Sequence, residues 1–392
     1  MGTEVWILGG TGRSGRAIAT ELLSRGLSPV LVGRDAARLD NATARLQKAV
    51  GELDTAAEQD AAAQPGTRTR TVVAASIEDM AAEIQGQQPA VVINTVGPFT
   101  TTAGPIVRAC LTGSHYVDLA NDLPAVAALL ELDQQAVAAG KTLVTGAGFG
   151  VTATESVVVQ LSQQHSQQND DAPTRVRVDM IPSLAMEAGV IGEALAGTIL
   201  DGFPDARGRG RYEGRRYENG RLIRARIAGD PASLTLPDGT KVITASMPLG
   251  ELMAAQRASR APNVISASSE APSSPAVRAV LPLATTLLAI APVRAFARKR
   301  LAAVKLKSRE RPREYSYGHA RLEWPDGTVR EGWLQLGDAQ TFTGAVPAEI
   351  ARRLLAGQGR PGAFTPAALF GPSLAEACGA TYLTADNAAA PA

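Results

Sequence analysis

The chain has 392 residues, of which 45% are hydrophobic and 20% charged, and its formal net charge is +1. This length suits two or three domains, or one nucleotide domain with a large insertion, and the balanced charge gives no reason to expect nucleic acid as a partner. The two cysteines, Cys110 and Cys378, lack metal or redox spacing and the three histidines are scattered, so we predict no metal site. We expect a cytoplasmic location, because this cysteine use fits a reducing compartment and the chain starts with a strand rather than a signal peptide.

A glycine-rich turn follows the first apolar run. Val5-Trp6-Ile7-Leu8 leads into Gly9-Gly10-Thr11-Gly12-Arg13-Ser14-Gly15, after which the pattern predicts a helix that ends at Gly26. A Gly-x-Gly-x-x-Gly sequence between a strand and a helix is typical of dinucleotide binding. We assign the tight turn to Gly10, the approach of the pyrophosphate to Gly12, and close helix packing to Gly15, with the helix N-terminus attracting the phosphates.

The end of the second predicted strand indicates which dinucleotide is bound. An NAD site places a carboxylate there for the ribose 2′-hydroxyl, whereas an NADP site places a cation for the 2′-phosphate. Arg34 stands near that position, with Arg38 one helical turn later and Arg13 in the glycine turn, and Asp35 is suited to cap the following helix. We therefore predict NADP(H) as the cofactor.

Apolar strands alternate with helices through the first 150 residues. This pattern predicts a Rossmann domain, an α/β fold with a doubly wound parallel sheet. The predicted strands are 5–8, 29–32, 71–75, 90–94, 115–119 and 142–145, and the predicted helices after the first are 40–53, 77–85, 105–112 and 123–139.

The pattern changes after the sixth strand. A further helix is predicted at 155–164, and the Pro-Asp-Gly sequences within 236–240 and 324–328 predict hairpin turns of a largely antiparallel sheet, whereas 262–275 suggests a flexible loop. We predict three segments: an NADP-binding domain at 1–150, an α+β substrate or dimerisation domain at 151–345, and a C-terminal helical segment at 346–392 that packs back on the nucleotide domain.

Two segments carry unusual composition. Residues 279–293 lack charge and precede a basic run, which suggests either a buried helix followed by a solvated loop or a membrane-surface anchor; we favour the buried helix, and the stretch is too short to span a bilayer. The arginine-rich segment 207–226 suggests an exposed hairpin with a solvated face, or else a surface for an acidic or carrier-linked substrate; nucleic acid is the last alternative, because the overall charge is balanced.

Three stretches resemble the saccharopine dehydrogenase-like NADP-binding oxidoreductases and their neighbours, the trans-acting enoyl reductases. They are residues 9–15 with 33–35, residues 94–122 (NTVGPFTTTAGPIVRACLTGSHYVDLAND), and residues 362–376 (GAFTPAALFGPSLAE). The resemblance implies an NADP-binding domain, an α+β domain that often dimerises, and hydride chemistry. Ala120-Asn121-Asp122 and Gly148-Phe149-Gly150-Val151 depart from the family pattern where the nicotinamide end is expected, which weakens the case for an amino-acid substrate.

The ends of the predicted strands supply the other candidate site residues. With the resemblance, Val96-Gly97-Pro98 is assigned to the cofactor, since ligands lie beyond strand ends. Asp118 and Tyr116 share one face of their strand and are the candidate catalytic residues, because a buried carboxylate needs a partner or a raised pKa. A structural hydrogen bond from Asp118 is the alternative, and His115 is expected to be structural.

These observations favour an NADP(H)-dependent reductase or dehydrogenase acting on a C=N or C=C bond of a small metabolite or biosynthetic intermediate. One alternative is an NADP-binding regulator or scaffold without catalysis. Another is a membrane-peripheral enoyl reductase acting on lipid or polyketide intermediates. We expect a homodimer.

Overall fold

The structure is a computed structural model that describes residues 4–57, 69–166, 171–185, 189–190, 214–271, 286–306 and 310–383. The chain divides into two compact units. The first unit contains Met1–Ala120, Ala125–Phe149 and Gln340–Phe370, and the second contains Asn121–Pro124, Gly150–Ala339 and Gly371–Ala392. The assignment of functions to the three predicted segments stays a prediction, because compactness does not show what each segment binds.

The first unit is built on a seven-stranded sheet in which every neighbouring pair is parallel. Its strands, numbered along the whole chain, are β1 (Val5–Leu8), β2 (Pro29–Gly33), β3 (Arg70–Val73), β4 (Val91–Asn94), β5 (His115–Asp118), β6 (Thr142–Val144) and β17 (Gly362–Phe364). Their order is β17-β6-β5-β4-β1-β2-β3, and Val5 of the central β1 lies opposite Pro29 in β2 and Val91 in β4. The predicted Rossmann-like sheet is confirmed, and β17 adds an edge strand that the sequence pattern did not indicate.

The helices that accompany this sheet follow the predicted alternation with changed boundaries. They are α1 (Arg13–Ser24), α2 (Ala36–Ala57), α3 (Ile77–Gln87), α4 (Phe99–Cys110), α5 (Leu123–Leu130), α6 (Asp133–Ala138), α10 (Ala339–Leu355) and α11 (Pro366–Phe370). The predicted helix 105–112 starts earlier, at Phe99, so that Pro105 lies inside it rather than at its first position. The predicted helix 123–139 is two helices, because Leu132 leaves helical geometry at ψ 7°.

The second unit is built on a nine-stranded mixed sheet, which confirms the predicted, largely antiparallel second domain. Its main path is β10-β9-β13-β7-β15-β16-β18, with β12 joining β13 and β11 joining β12; only β13 and β7 pair in parallel. The strands are β7 (Arg175–Ile181), β9 (Arg215–Glu218), β10 (Arg221–Arg224), β11 (Ala232–Thr235), β12 (Lys241–Ser246), β13 (Asn263–Ser268), β15 (Ser316–Glu323), β16 (Val329–Leu336) and β18 (Thr381–Leu383). The helices that begin in or near this unit are α7 (Phe149–Ser166), α8 (Gly250–Ser259), α9 (Ala291–Ala302) and α12 (Ser373–Ala377), and β8 (Gly189–Val190) pairs with β14 (Lys305–Leu306).

Both predicted hairpins form, and they use the same turn chemistry. Gly239 and Gly327 take positive φ angles of 83° and 86°. In each turn an aspartate side chain accepts a hydrogen bond from the backbone N–H two residues later, at 2.8 Å. A glycine at the left-handed position and an aspartate before it are what such turns require.

The expectation of a flexible loop at 262–275 is wrong for residues 263–268. These residues form β13, which pairs with β7, β9 and β12 and so lies inside the sheet. The serines suggested a loop, but their hydroxyls can be satisfied inside the sheet. The Ser266 hydroxyl, for example, donates to the Met247 carbonyl. Neighbouring strands thus override the weak strand preference of the segment. Residues 272–275 lie outside the described part.

The expectation of a buried helix at 279–293 is also wrong where the structure describes it. Residues 279–285 lie outside the described part, and none of the residues of α9 is buried. Leu287, Ile290 and Val293 are exposed, and Leu288 is only partly buried, next to the basic residues that follow them.

Candidate functional site

The glycine turn after β1 is closely packed on two sides. Gly9 takes a φ of +76°, so that Gly9 rather than Gly10 adopts the left-handed conformation of the tight turn. A Cβ on Gly10 would lie 2.9 Å from the Leu31 side chain, and a Cβ on Gly15 would lie 2.5 Å from the Gly9 carbonyl oxygen. Glycine is therefore required at these positions by the approach of β2 and of the turn to the start of α1.

Gly12 differs from its neighbours because its α-carbon faces open space. A Cβ there would have only the Gly9 carbonyl oxygen within 4 Å, at 3.2 Å. Gly12 is also the N-cap of α1, where no side chain caps the helix and no acidic residue lies in the first turn. The arrangement fits a pyrophosphate, since the backbone N–H groups and the positive end of the helix dipole are left to an anion.

The loop after β4 lies directly against this turn. A Cβ on Gly9 would lie 2.7 Å from Thr95 Oγ1 and 3.2 Å from Val96 Cγ2. The Thr95 hydroxyl donates to the Leu8 carbonyl at 2.7 Å, which fixes the two loops side by side at the carboxyl ends of β1 and β4. Gly97 has nothing within 4 Å of its Cβ position. The structure thus brings two of the sequence-predicted cofactor segments together.

A cleft of about 270 Å³ opens beside the glycine turn and collects cations from two helices. It is lined by Thr11, Arg16, Arg38, Asn41, Ala42 and Arg45. Arg34 is exposed at the end of β2 and is not among these lining residues. Thr11 and Arg38 of this set were predicted cofactor residues, whereas Arg16, Asn41 and Arg45 were missed, because only the packing of α1 beside α2 brings them together.

Asp35, the one carboxylate at the end of β2, is used as a helix cap. Its Oδ1 accepts a hydrogen bond from the Arg38 backbone N–H at 3.1 Å, at the start of α2. A carboxylate committed to its own helix is less suited to a ribose hydroxyl, whereas the arginines around it suit a phosphate. The residues present therefore fit NADP(H) better than NAD(H).

Asp118, a candidate catalytic residue, is 1% exposed at the end of β5. Its Oδ1 accepts hydrogen bonds from the Ala120 N–H, the Thr145 hydroxyl and the Gly146 N–H, at 3.0, 2.8 and 3.2 Å. Burial raises the pKa of the Asp118 carboxyl to about 6, although these hydrogen bonds oppose the rise. Asp118 thus holds the segments that follow β5 and β6, as the alternative interpretation of this residue required.

Tyr116 is fully buried and continues the same network toward the cofactor loop. Asn94 Nδ2 donates to the Tyr116 hydroxyl at 3.1 Å, and Asn94 Oδ1 accepts from the Val96 N–H at 3.0 Å. Burial, and then the negative charge of Asp118, raise the pKa of the Tyr116 phenol well above its usual value. The network joins the carboxyl ends of β4, β5 and β6. The catalytic roles of Tyr116 and Asp118 stay predictions, and the structural role expected of His115 agrees with its Nδ1, which accepts from the Thr142 N–H at 3.0 Å.

Glu251, in the second unit, is another buried carboxyl, and no sequence pattern indicates it. It is 2% exposed in the first turn of α8. When the Asn121 amide is oriented to donate, its nitrogen lies 2.9 and 3.2 Å from the two carboxylate oxygens. A Cβ on Gly150 would lie 2.0 Å from Glu251 Oε1. Asn121 and Gly150 stand in the two segments where the sequence departs from the family pattern, so both departures accommodate this carboxyl.

Burial raises the pKa of Glu251 to about 7, with the hydrogen bonds from its own backbone and from Asn121 opposing the rise.

Among the described residues, no group of three or more His, Cys, Asp or Glu side chains is arranged to hold a metal ion. The described helices include none that is long and apolar enough to cross a membrane.

Comparison with known proteins identifies the first unit's nucleotide-binding part. Residues 5–144 match the family model described as the saccharopine dehydrogenase NADP binding domain. A trans-acting enoyl reductase of Mycobacterium leprae (strain TN) is 32% identical over 162 residues, which are 40% of this chain and 35% of that protein. The match therefore spans about a third of that relative's length.

The solved structures include one with the same overall fold. Apo saccharopine dehydrogenase (L-Glu forming) from Saccharomyces cerevisiae matches 97% of this chain and 99% of its own, with a TM-score of 0.59 and 13% identity. This likeness concerns the fold alone. The family model confirms the predicted resemblance and the cofactor: residues 5–144 form an NADP(H)-binding domain of the saccharopine dehydrogenase type.

Proposed function

We propose that this chain is an NADP(H)-dependent reductase or dehydrogenase that transfers a hydride to or from a C=N or C=C bond of a small metabolite or biosynthetic intermediate. The observation that carries the proposal is the match of residues 5–144 to an NADP-binding domain of an oxidoreductase family, at the same residues whose glycine turn leaves Gly12 open. The bound nicotinamide would supply the hydride chemistry, while the chain binds and orients.

The residues of the first unit would bind the cofactor in three places. Gly12 and the N-terminus of α1 would receive the pyrophosphate, because no side chain occupies that space. Arg34 and the cleft arginines would hold the 2′-phosphate through charge-assisted hydrogen bonds. The Val96-Gly97-Pro98 loop would border the dinucleotide, since it lies against Gly9.

A proton must accompany the hydride, and two buried carboxyls have pKa values in the neutral range. The pKa is about 6 for Asp118 and about 7 for Glu251. Asp118 Oδ1 already accepts three hydrogen bonds, so we assign Asp118, with Tyr116, a positioning role. Glu251 has Asn121 as its side-chain partner and is the stronger candidate for moving a proton, since a general acid works best near the operating pH.

Oxidation of NADPH in the presence of a panel of imines and enoyl thioesters tests the proposal. We expect substrate-dependent loss of NADPH absorbance with the wild-type chain and none with Gly12→Val. NADPH binding without turnover of either class would instead support the regulator or scaffold alternative.

The pH profile of that activity separates the two carboxyls. Glu251→Gln should lower kcat and remove an ionisation near pH 7, because the amide is isosteric but carries no exchangeable acid proton. Asp118→Asn should lower kcat while keeping that ionisation. An unchanged pH profile in Glu251→Gln would contradict its assignment.

Reduction of a C=C bond is the form of the reaction to test first. The relative of 32% identity is named a trans-acting enoyl reductase, and its match to this chain includes 162 residues. A carrier-linked substrate would also suit the arginines of the β9–β10 hairpin, whose described side chains are partly or fully exposed. Turnover of imines but not of enoyl thioesters would reject this form.

We also propose that the protein is a cytoplasmic homodimer. Cell fractionation tests the location, and light scattering tests the oligomeric state.

A further inference from the structure

Residues 286–306 present apolar side chains to solvent. The exposed fractions are 45% for Leu287, 48% for Ile290, 37% for Val293, 62% for Phe296 and 43% for Val304. None of the residues of α9 is buried, so this helix contributes nothing to the core of the unit that carries it. A group of large apolar side chains in water marks an interaction site when it is contiguous.

The exposed apolar residues form a short row at the start of α9. Val293 and Phe296 are three residues apart in this helix, so they lie beside each other on its surface, and Ile290 is the N-cap residue that directly precedes it. We call residues 286–306 the apolar-basic segment, because five basic residues accompany this row: Arg294, Arg298, Lys299, Arg300 and Lys305. The segment contains no aspartate or glutamate.

One basic side chain lies over the aromatic residue of the apolar row. The Arg300 guanidinium stands 5.3 Å from the centre of the Phe296 ring. Long basic side chains can lay their stems along apolar surface and carry the charge outward, as they do in helices at a membrane interface. An aromatic residue with adjacent cations is the composition that interfacial helices use.

Charge decides which occupant fits this surface. Docking a second copy of the chain on the same face would bring five cations against five, which repel each other. An anionic lipid surface supplies both an apolar layer for the exposed row and phosphates for the cations. The described helices include none that could span a bilayer, so the contact would be at the surface.

We propose that the apolar-basic segment docks the protein on anionic membrane surfaces, with Ile290, Val293 and Phe296 at the boundary of headgroups and acyl chains and the basic residues on lipid phosphates. This surface is separate from the cofactor site and does not depend on the reaction proposed above. It brings the protein to the phase in which lipid-linked intermediates reside.

Co-flotation of the full chain with vesicles tests the proposal. We expect flotation with phosphatidylcholine vesicles that contain phosphatidylglycerol, little with phosphatidylcholine alone, and a decrease when salt is raised. The double substitution Val293→Ser/Phe296→Ser and the triple substitution Arg298→Gln/Lys299→Gln/Arg300→Gln should each reduce the bound fraction about tenfold, because each removes one of the two attractions.

Ile243→Ser is the matched control, since Ile243 is 52% exposed on β12, and it should float as the wild type does. NADPH titration of every variant verifies that the cofactor site is intact. The proposal is overturned if the wild type does not float, if both multiple substitutions leave flotation unchanged, or if neutral vesicles bind equally well. It is also overturned if light scattering shows a dimer that Val293→Ser/Phe296→Ser dissociates, which would assign the face to a second copy.

Discussion

Gly12 is the glycine of the turn after β1 at which the backbone is most open to a ligand. Gly9, Gly10 and Gly15 are enclosed by their own turn or by neighbouring strands, whereas a Cβ on Gly12 would meet only one carbonyl oxygen. Three of these four glycines therefore shape the turn, and the fourth leaves room for the cofactor. A substitution at Gly12 can consequently separate binding from folding.

We predict that Gly12→Val abolishes NADPH binding while the thermal unfolding temperature changes little, because the added side chain fills the space of the pyrophosphate. Fluorescence titration and circular dichroism measure the two effects. Gly86→Val is the matched control, since Gly86 lies in α3 with nothing within 4 Å of its Cβ position. Full NADPH binding by Gly12→Val would contradict the assignment.

Arg34 is expected to distinguish NADPH from NADH. We predict that Arg34→Ala weakens NADPH about tenfold or more and leaves NADH nearly unchanged, since a hydrogen bond to a charged group contributes about 1.5–3 kcal/mol. Arg108→Ala is the control, because Arg108 lies in the last turn of α4, before β5 begins. An equal loss for both cofactors would show that Arg34 does not contact the 2′-phosphate. Loss only with Arg16→Ala or Arg45→Ala would move that role into the cleft.

Much of the cofactor site could be predicted at the residue scale, but the buried acid of the second unit could not. The glycine turn and Arg34 have short-range signatures, so their positions follow from strand and helix patterns alone. Glu251 has no such signature: a glutamate in the first turn of a helix is ordinary on a surface, and only tertiary burial gives it a raised pKa. Asn94 was missed for the same reason, because its bond to Tyr116 depends on the pairing of β4 with β5.

Four strands of the second unit are tied by a charge network centred on the buried His319. Its Nδ1 lies 2.9 Å from Asp179 Oδ2 on β7, and its Nε2 lies 2.9 Å from Glu331 Oε1 on β16. Asp179 also contacts Arg177 at 2.9 Å and accepts from the Thr244 hydroxyl on β12 at 2.6 Å. Burial alone would lower the pKa of His319, but its bonds to Asp179 and Glu331 raise it above 6.5.

The raised His319 pKa predicts how stability depends on pH. The stabilisation by protonated His319 is fully present below its unfolded-state pKa of 6.5 and is lost as the pH rises through its folded-state pKa. His319→Gln should lower the free energy of unfolding by about 1–3 kcal/mol at acidic to neutral pH, because it leaves buried acceptors less well satisfied. Urea unfolding across this range measures the difference. A difference that grows with rising pH would contradict a charged His319.

At the scale of elements, the central strands were predictable and several boundaries were not. β1, β2 and β4 are short, largely apolar runs buried on both faces, which is the strongest pattern that a parallel sheet leaves in a sequence. β13 and β17 were missed because serine and glycine weaken the strand signal, and neighbouring strands supply the pairing. The predicted start of α4 was too late, because proline is common at the first position of a helix and Pro105 therefore suggested that position.

At the scale of the whole molecule, the chain leaves the first unit and returns to it. β17 pairs with β6, and a Cβ on Gly344 in α10 would lie 3.0 Å from Ala17 in α1, so residues far apart in sequence complete the nucleotide-binding sheet and its helical layer. We predict that a chain ending before residue 340 unfolds at a lower temperature and binds NADPH more weakly than the full chain, because the edge of β6 and one side of α1 lose their cover. A truncated chain with unchanged unfolding and binding would contradict this.

We propose that the glycine turn and the surrounding arginines bind NADP(H). Fluorescence titration of the wild-type chain with NADPH and with NADH under identical salt conditions tests this assignment most directly. We expect NADPH to bind about tenfold or more tightly than NADH, as charge-assisted contacts to one phosphate imply. Equal or tighter binding of NADH would contradict it.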